Sequence, residues 1–229
     1  MKIIKNEKLI KRNSTIGNWT TLAAVAVLGL GMYISIKRTE LFAYSLIALV
    51  IGFTLTQVGM YMGSRFGRSP RPDEKLDAGL KGLQNEFVMY HYTTPVSHLL
   101  VGPAGVWVIM LYHQGGQVTF QKNRWRLSGG GFLQAYMRIF GQEGLGRPDV
   151  EIDNEIRSLK KYLSKHMDES EIPEINPLMV FTNDNIEIDA EDAPVPVMKL
   201  KQLKEFIRQR AKEKKLSAET LNQIKTALE

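Results

Sequence analysis

The sequence contains no cysteine. That absence excludes thiolate zinc sites, iron–sulfur clusters, cysteine nucleophiles and a disulfide framework. Charge is also absent from two long stretches. Residues 13–36 (NSTIGNWTTLAAVAVLGLGMYISI) and 41–64 (LFAYSLIALVIGFTLTQVGMYMGS) hold no Asp, Glu, Lys or Arg, and each is 24 residues long. No internal repeat is present. What remains, 229 residues with 44% hydrophobic and 24% charged side chains, is neither a collagen-like nor a disordered chain.

Each uncharged stretch exceeds the roughly 20 residues needed to cross a hydrocarbon core. Core helices of soluble proteins carry a polar face, and these show almost none. Only Lys37, Arg38, Thr39 and Glu40 separate them, which predicts an antiparallel hairpin. Trp19, Tyr33 and Tyr61 lie near the span ends, where amphipathic rings favour the interface. The first run is too long for a cleaved signal peptide, and a second follows at once. Lys2, Lys5, Lys8, Lys11 and Arg12 precede the first span, and Arg65, Arg68 and Arg71 follow the second. Cytoplasmic flanks carry the excess of Lys and Arg. The expectation is a multi-pass protein of a bacterial inner membrane with both termini cytoplasmic. Its partners are then the lipid bilayer and the anionic headgroups beside the basic flanks.

The formal charge of +6 invites a nucleic-acid reading. Its distribution weakens the invitation. Residues 1–40 carry a net +5, whereas residues 72–229 carry a net −2. The excess is mainly a topology signal. Within the soluble part, residues 121–147 hold +4, residues 149–192 hold −9 and residues 199–229 hold +5. Lys122, Arg124, Trp125 and Arg126 form the candidate binding patch, with alternate residues on one strand face. A cation-plus-aromatic surface can hold a single strand. Solvated charges on an exposed edge explain the patch better, so nucleic acid is expected to bind weakly.

The chain divides into a membrane anchor over 1–64, with spans at about 16–36 and 41–63, a linker over 65–72 and a cytoplasmic domain over 73–229. Pro70 and Pro72 stop helix continuation in the linker. A helix is predicted from Asp73, with Leu76, Leu80 and Leu83 on one face. Strands are predicted at 86–92, 97–101, 106–112 and 117–120, with Gly102–Gly105 as a turn. The third is apolar on both faces, as a central strand is. Residues 128–148 read as a glycine-rich irregular segment. A helix over 149–166 follows, with Pro148 in its first turn and a stripe of Ile152, Ile156, Leu159 and Leu163. Strands at 178–182 and 186–188, a helix at 199–210 and a last helix capped by Ser217 complete the order. The fold class is α/β: a two-helix transmembrane hairpin, then a mixed sheet flanked by helices.

Among the residues that carry chemistry, 141–147 (GQEGLGR) lack the spacing and lysine of a phosphate loop. His91 and His98 fall on or beside neighbouring strands and can meet. Zinc needs a third ligand, and Glu86 is the only carboxylate on those strands, so bonding to backbone or to each other is expected. Ser97 and His98 are adjacent and so point to opposite faces of a strand. They cannot form a nucleophile–base pair.

Residues 97–116 (SHLLVGPAGVWVIMLYHQGG) resemble the nuclease-related domain, or NERD, family of restriction-endonuclease-like nucleases. His98, the LLVGPAG segment, the VWVI strand and Gly116 carry the likeness. LMVFTNDNIEI resembles the family's late strand, and the helix at 149–163 its second long helix. The likeness covers roughly 73–210 and implies a restriction-endonuclease-like mixed sheet. In such nucleases an aspartate and a glutamate hold a divalent metal, and a lysine assists the attacking water. Here the aspartate position is Ser97, the glutamate position Met110 and the lysine position Tyr112. The first helix supplies Glu74. No Asp, Glu or Lys occurs in 96–121 to rescue the match.

The resemblance therefore implies a pseudoenzyme: a membrane-anchored, catalytically inactive nuclease-related domain that binds or scaffolds an unknown protein partner. No metal or cofactor is expected. The alternative is an active membrane-tethered nuclease with an altered site, which would need Mg²⁺. If the site is degenerate, Met110 and Tyr112 should have become core. Leu76 or Leu80 are the expected neighbours, and Glu74 or Ser97 the expected partners of the Tyr112 hydroxyl.

Overall fold

The computed structural model describes residues 1–129, 145–213 and 215–228. The glycine-rich stretch and the GQEGLGR run fall largely outside the described residues. The chain forms two compact units, one of residues 7–71 and one of residues 1–6 with 72–229.

The first unit is a helical hairpin. Helix α1 spans Glu7–Lys37 and α2 spans Phe42–Met62. Both are long and apolar enough to cross a membrane, and only 11% of each apolar window is buried. A core helix of a soluble protein would bury most of that surface. Trp19, Leu22, Val25, Leu30, Ile47, Val50 and Phe53 are among the exposed side chains. The contact between the helices is made by small residues at heptad spacing. Gly17, Ala24 and Gly31 are buried on α1, and Ser45, Gly52 and Gly59 on α2. A Cβ on Gly31 would stand 2.9 Å from that of Ala48, and one on Gly52 2.5 Å from Leu28. Small side chains let the backbones approach, which is what holds helices together where lipid removes the hydrophobic drive. A heptad repeat keeps such a seam aligned. Gly29, with nothing near it, lies off the seam. The hydroxyls of Thr20, Thr21, Thr54 and Thr56 donate to carbonyls one turn back, so these polar groups are satisfied within their own helix.

The second unit is a mixed α/β fold. A six-stranded sheet runs β1 (Lys2–Lys5), β2 (Val88–His91), β3 (His98–Gly102), β4 (Gly105–Tyr112), β7 (Ile175–Phe181) and β9 (Val197–Lys199). Strands β2, β3 and β4 form an antiparallel meander; β1, β7 and β9 join in parallel. A smaller sheet holds β6 (Arg124–Ser128), β5 (Gly116–Gln121) and β8 (Ile186–Asp189) in that order.

The N-terminal segment departs from the sequence expectation. Residues 2–5 are not a free basic flank. They pair with β2 from Lys2–Val88 to Lys5–His91. The hairpin is thus an insertion between an edge strand and the rest of one domain. Four residues with alternating Lys and Ile are too short and too charged to announce a strand by pattern alone.

Helix α3 (Pro72–Gly79) and helix α5 (Leu200–Glu213) cover one face of the larger sheet. Leu76, Leu80, Leu203 and Ile207 pack there against Trp107, Ile109, Leu178 and Val180. Helix α4 (Pro148–Leu163) and helix α6 (Ala218–Leu228) cover the other. Leu159, Leu163 and Ile224 pack against Leu99, Val101, Val106 and Val108. The core on this face continues to the smaller sheet through Ile152, Met179, Phe181 and Ile186. Helix α3 is shorter than its stripe predicted. Leu80 and Leu83 are buried from the turns that follow Gly79. A Cβ on Gly79 would meet Leu200 at 2.7 Å, so glycine sets how closely α3 and α5 approach. The Ser217 hydroxyl accepts from the Thr220 amide at 3.0 Å, capping α6 as predicted.

Candidate functional site

Alternation along β4 places Met110 and Tyr112 on the α4 face. Tyr112 is buried beside Phe181, ring centroids 5.4 Å apart, among Val118, Ile152 and Met179. Met110 is half-buried against the same cluster. These side chains do not fit a magnesium ion. A thioether is a poor ligand for a hard cation, and the described hydrophobic neighbours of the pair are aliphatic and aromatic.

The expected neighbours of this pair need correcting. Leu76 and Leu80 lie on the opposite face, against Trp107 and Ile109. Glu74 belongs to α3 and so to that opposite layer. Ser97 is half-buried immediately before β3. The physical reason is the two-residue period of a strand. The candidate positions singled out from the sequence are therefore divided between the two faces, with Glu74 apart from Met110 and Tyr112.

The densest polar cluster occupies the α3 face. His91 ends β2 and His98 begins β3, and the two are register partners. Both are buried. Their Nδ1 atoms lie 2.8 Å apart, so one donates a proton to the other. The expectation that these histidines meet is met. The Nε2 of His91 donates to Asp77 Oδ1 at 2.9 Å. The other Asp77 oxygen accepts from Lys5 Nζ at 2.6 Å. Lys5 also donates to Asp73 Oδ2 at 3.0 Å, and Asp73 is fully buried. The network thus joins β1, α3, β2 and β3.

Burial opposes the charge on Asp77, but hydrogen bonds from His91 and Lys5, with the attraction of their charges, outweigh it. The carboxyl is held below its ordinary value. Burial likewise opposes the Lys5 ammonium. The hydrogen bonds and charges of Asp77 and Asp73 overcome it and raise the lysine's pKa. Next to the histidines, Tyr92 holds a φ of +57°, a region costly for a bulky residue. Its amide donates to Ser97 O at 3.0 Å, closing the β2–β3 loop. Its ring lies 5.2 Å from that of His98.

Lys5, Asp73 and Asp77 were not singled out from the sequence. A signal existed: Asp73 and Asp77 are four apart and share a helix face with the buried Leu76 and Leu80. Lys5 had no local signal, because it was counted with the basic flank.

The basic hairpin turns through Lys122 and Asn123, with φ of +50° and +57°. A two-residue turn with both φ positive matches the twist of the flanking strands. Arg124 and Arg126 are exposed on one face of β6. Trp125 points the other way, half-buried against Phe120 with centroids 4.9 Å apart. Among the described residues, the cross-strand partners of Arg124 and Arg126 are Gln121 and Thr119, and neither is aromatic.

A cleft of 630 Å³ opens at the Gly105 end of β4, lined by Trp107, Pro173, Asn176, Pro177, Arg210 and Leu216 among others. The Arg210 guanidinium is bound to Glu213 at 2.9 Å. Among the described residues, no group of three or more His, Asp or Glu side chains is placed to hold a metal ion. Comparison with family models, with curated proteins and with solved structures finds no match for this chain.

Proposed function

We propose that this chain is a membrane-anchored, catalytically inactive nuclease-related domain that acts as a cytoplasmic binding or scaffolding module. The observation that carries the reading is the environment of Met110 and Tyr112. At the positions where the resemblance requires a metal-binding acid and a lysine, a thioether and a phenol sit within an apolar cluster. The order of elements supports the likeness: a first helix, an antiparallel meander, a second long helix and a late parallel strand. The cleft beside Trp107 is of ligand-binding size and offers a concave surface to a partner. Basic flanks favour the cytoplasmic side of a bacterial inner membrane. Because β1 and the C-terminal domain are one folded unit, both lie on the same side of any membrane the hairpin crosses.

Hydrolysis assays on plasmid and single-stranded DNA with Mg²⁺ or Mn²⁺ test this reading. No cleavage is expected. Metal-dependent cleavage by the purified protein, abolished by chelator and by Glu74→Ala, would overturn it. A reporter fused at the C-terminus tests the orientation; activity confined to the periplasmic type of reporter would reverse it.

A further inference from the structure

The histidine pair sits where three strands end together. His91 and His98 are the last register pair of β2 and β3, and Lys5 and His91 the last pair of β1 and β2. The Asn6 amide donates to the His91 carbonyl at 3.1 Å. Helix α1 begins at the next residue, Glu7. A displacement of His91 is therefore transmitted to the backbone that leads into the first apolar helix.

The Nδ1–Nδ1 contact admits one proton and no more. If His91 is neutral, its Nε2 bears the hydrogen given to Asp77, and its Nδ1 accepts from His98. If His91 is cationic, its Nδ1 donates to His98. Either way one nitrogen in the 2.8 Å contact must keep its lone pair. Among the groups facing the pair are Asp77 and Asp73 from α3, Lys5 from β1 and the Tyr92 ring from the loop. A second proton sets two N–H groups of like charge against each other across the 2.8 Å contact in a buried site, where like charges repel strongly.

We propose that His91 and His98 form a proton-operated latch at the root of the first apolar helix. With one proton or none beyond the neutral pair, the latch is closed and β1 is held to β2. A second proton parts the histidines, frays the His91–His98 end of the hairpin and loosens Lys5 and Asn6 from the sheet. The strained Tyr92, whose amide closes the same loop, favours that release. The open form binds more protons than the closed one, so acid favours opening. The latch is independent of what the domain binds.

The test is amide hydrogen exchange of the full chain in lipid nanodiscs from pH 7.5 to 5, corrected for the intrinsic pH dependence of exchange. The histidine range makes this the relevant window. Opening at Asn6 and Tyr92 should rise by up to about tenfold per pH unit for a one-proton link, while Met179 and Val180 stay protected. In His98→Asn the rise should vanish, because the amide cannot become a second cation. A flat response in the native protein would overturn the latch, as would an unchanged slope in His98→Asn. Should that variant not fold, NMR titration of the native histidines decides. Uptake of the second proton together with opening supports the latch, and uptake without opening overturns it.

Discussion

On one face of the six-stranded sheet, Met110 and Tyr112 stand among Met179, Phe181 and Ile152. On the other, His91 and His98 stand with Asp77, Asp73 and Lys5. Strands β2 and β3 carry the polar cluster, and their neighbours β4 and β7 carry the apolar one on the opposite face. The apolar face lies where the family resemblance expects charge. On the charged face, the sequence singled out His91, His98 and Glu74 of the α3 layer, but not the carboxylate–lysine network that joins the histidines to β1. Buried ionised groups are tolerated on the second face because each has an opposite charge or a hydrogen bond within reach. On the first face, the described hydrophobic neighbours of Met110 and Tyr112 are aliphatic and aromatic side chains. What a sheet face can bury thus depends on the company each position keeps, and a motif read along one strand does not report that company.

The strongest test of the contrast is to put charge on the apolar face. Met110→Glu with Tyr112→Lys should destabilise the domain by about 4 kcal/mol, since both groups lose water without gaining a network. Denaturant unfolding in detergent, followed by near-ultraviolet circular dichroism, reads this. Adding Ser97→Asp completes the family's charges. Robust magnesium-dependent cleavage by that triple variant would reveal a surviving scaffold and narrow the contrast to side chains alone.

The converse is to remove charge from the polar face. Asp77→Leu takes the carboxylate from His91 Nε2 and from Lys5, which keeps Asp73, and should cost about 3 kcal/mol in the same unfolding measurement. Lys5→Met in the same chain should deepen that loss, because it takes the cation from the fully buried Asp73. A cost below about 1 kcal/mol for Asp77→Leu would mean that water, not the network, satisfies these groups. The pH dependence follows from the shifts. Asp77 is held below its ordinary value, so its contribution is present above the unfolded carboxyl pKa of about 4 and is lost as pH falls through the depressed value. Lys5 is raised, so its contribution is present below about pH 10.4 and is lost as pH rises through the raised value. The difference in unfolding free energy between native protein and Asp77→Asn should therefore be flat near neutrality and shrink at both extremes.

A third variant asks whether tight packing in the hairpin resembles that in the sheet. Gly31→Leu forces a side chain against Ala48 and should weaken the α1–α2 contact by roughly 2 kcal/mol. Fluorescence transfer between labels on α1 and α2 in nanodiscs would register the separation. Gly29→Leu, off the seam, is the matched control and should change nothing. The smallest effect is expected at the basic hairpin. Replacing Lys122, Arg124 and Arg126 by alanine should alter stability by less than about 0.5 kcal/mol. Submicromolar binding of single-stranded nucleic acid at physiological salt, lost in that variant, would give the patch a function that Trp125, turned to the opposite strand face, does not suggest.

The sequence determined a good deal by itself. Charge-free runs of sufficient length announce helices able to cross a membrane, because 24% of the whole chain is charged and none of that charge falls in these runs. The apolar run of β4 announces a central strand, and the spacing of Ile152, Leu159 and Leu163 announces the face of α4, because strand and helix periods are local properties. The meeting of His91 and His98 was legible from their places on neighbouring strands. Only the tertiary structure decided that Lys2–Lys5 is an edge strand of the distant domain, that Trp125 turns away from its arginines, and that Asp73 and Asp77 receive Lys5 across the membrane hairpin's insertion point. Those facts depend on pairing over long sequence separations. A lysine five residues from the start of the chain has no local reason to meet an aspartate more than seventy residues away; the parallel register of β1 on β2 brings it there, and the buried charge of Asp73 and Asp77 holds it.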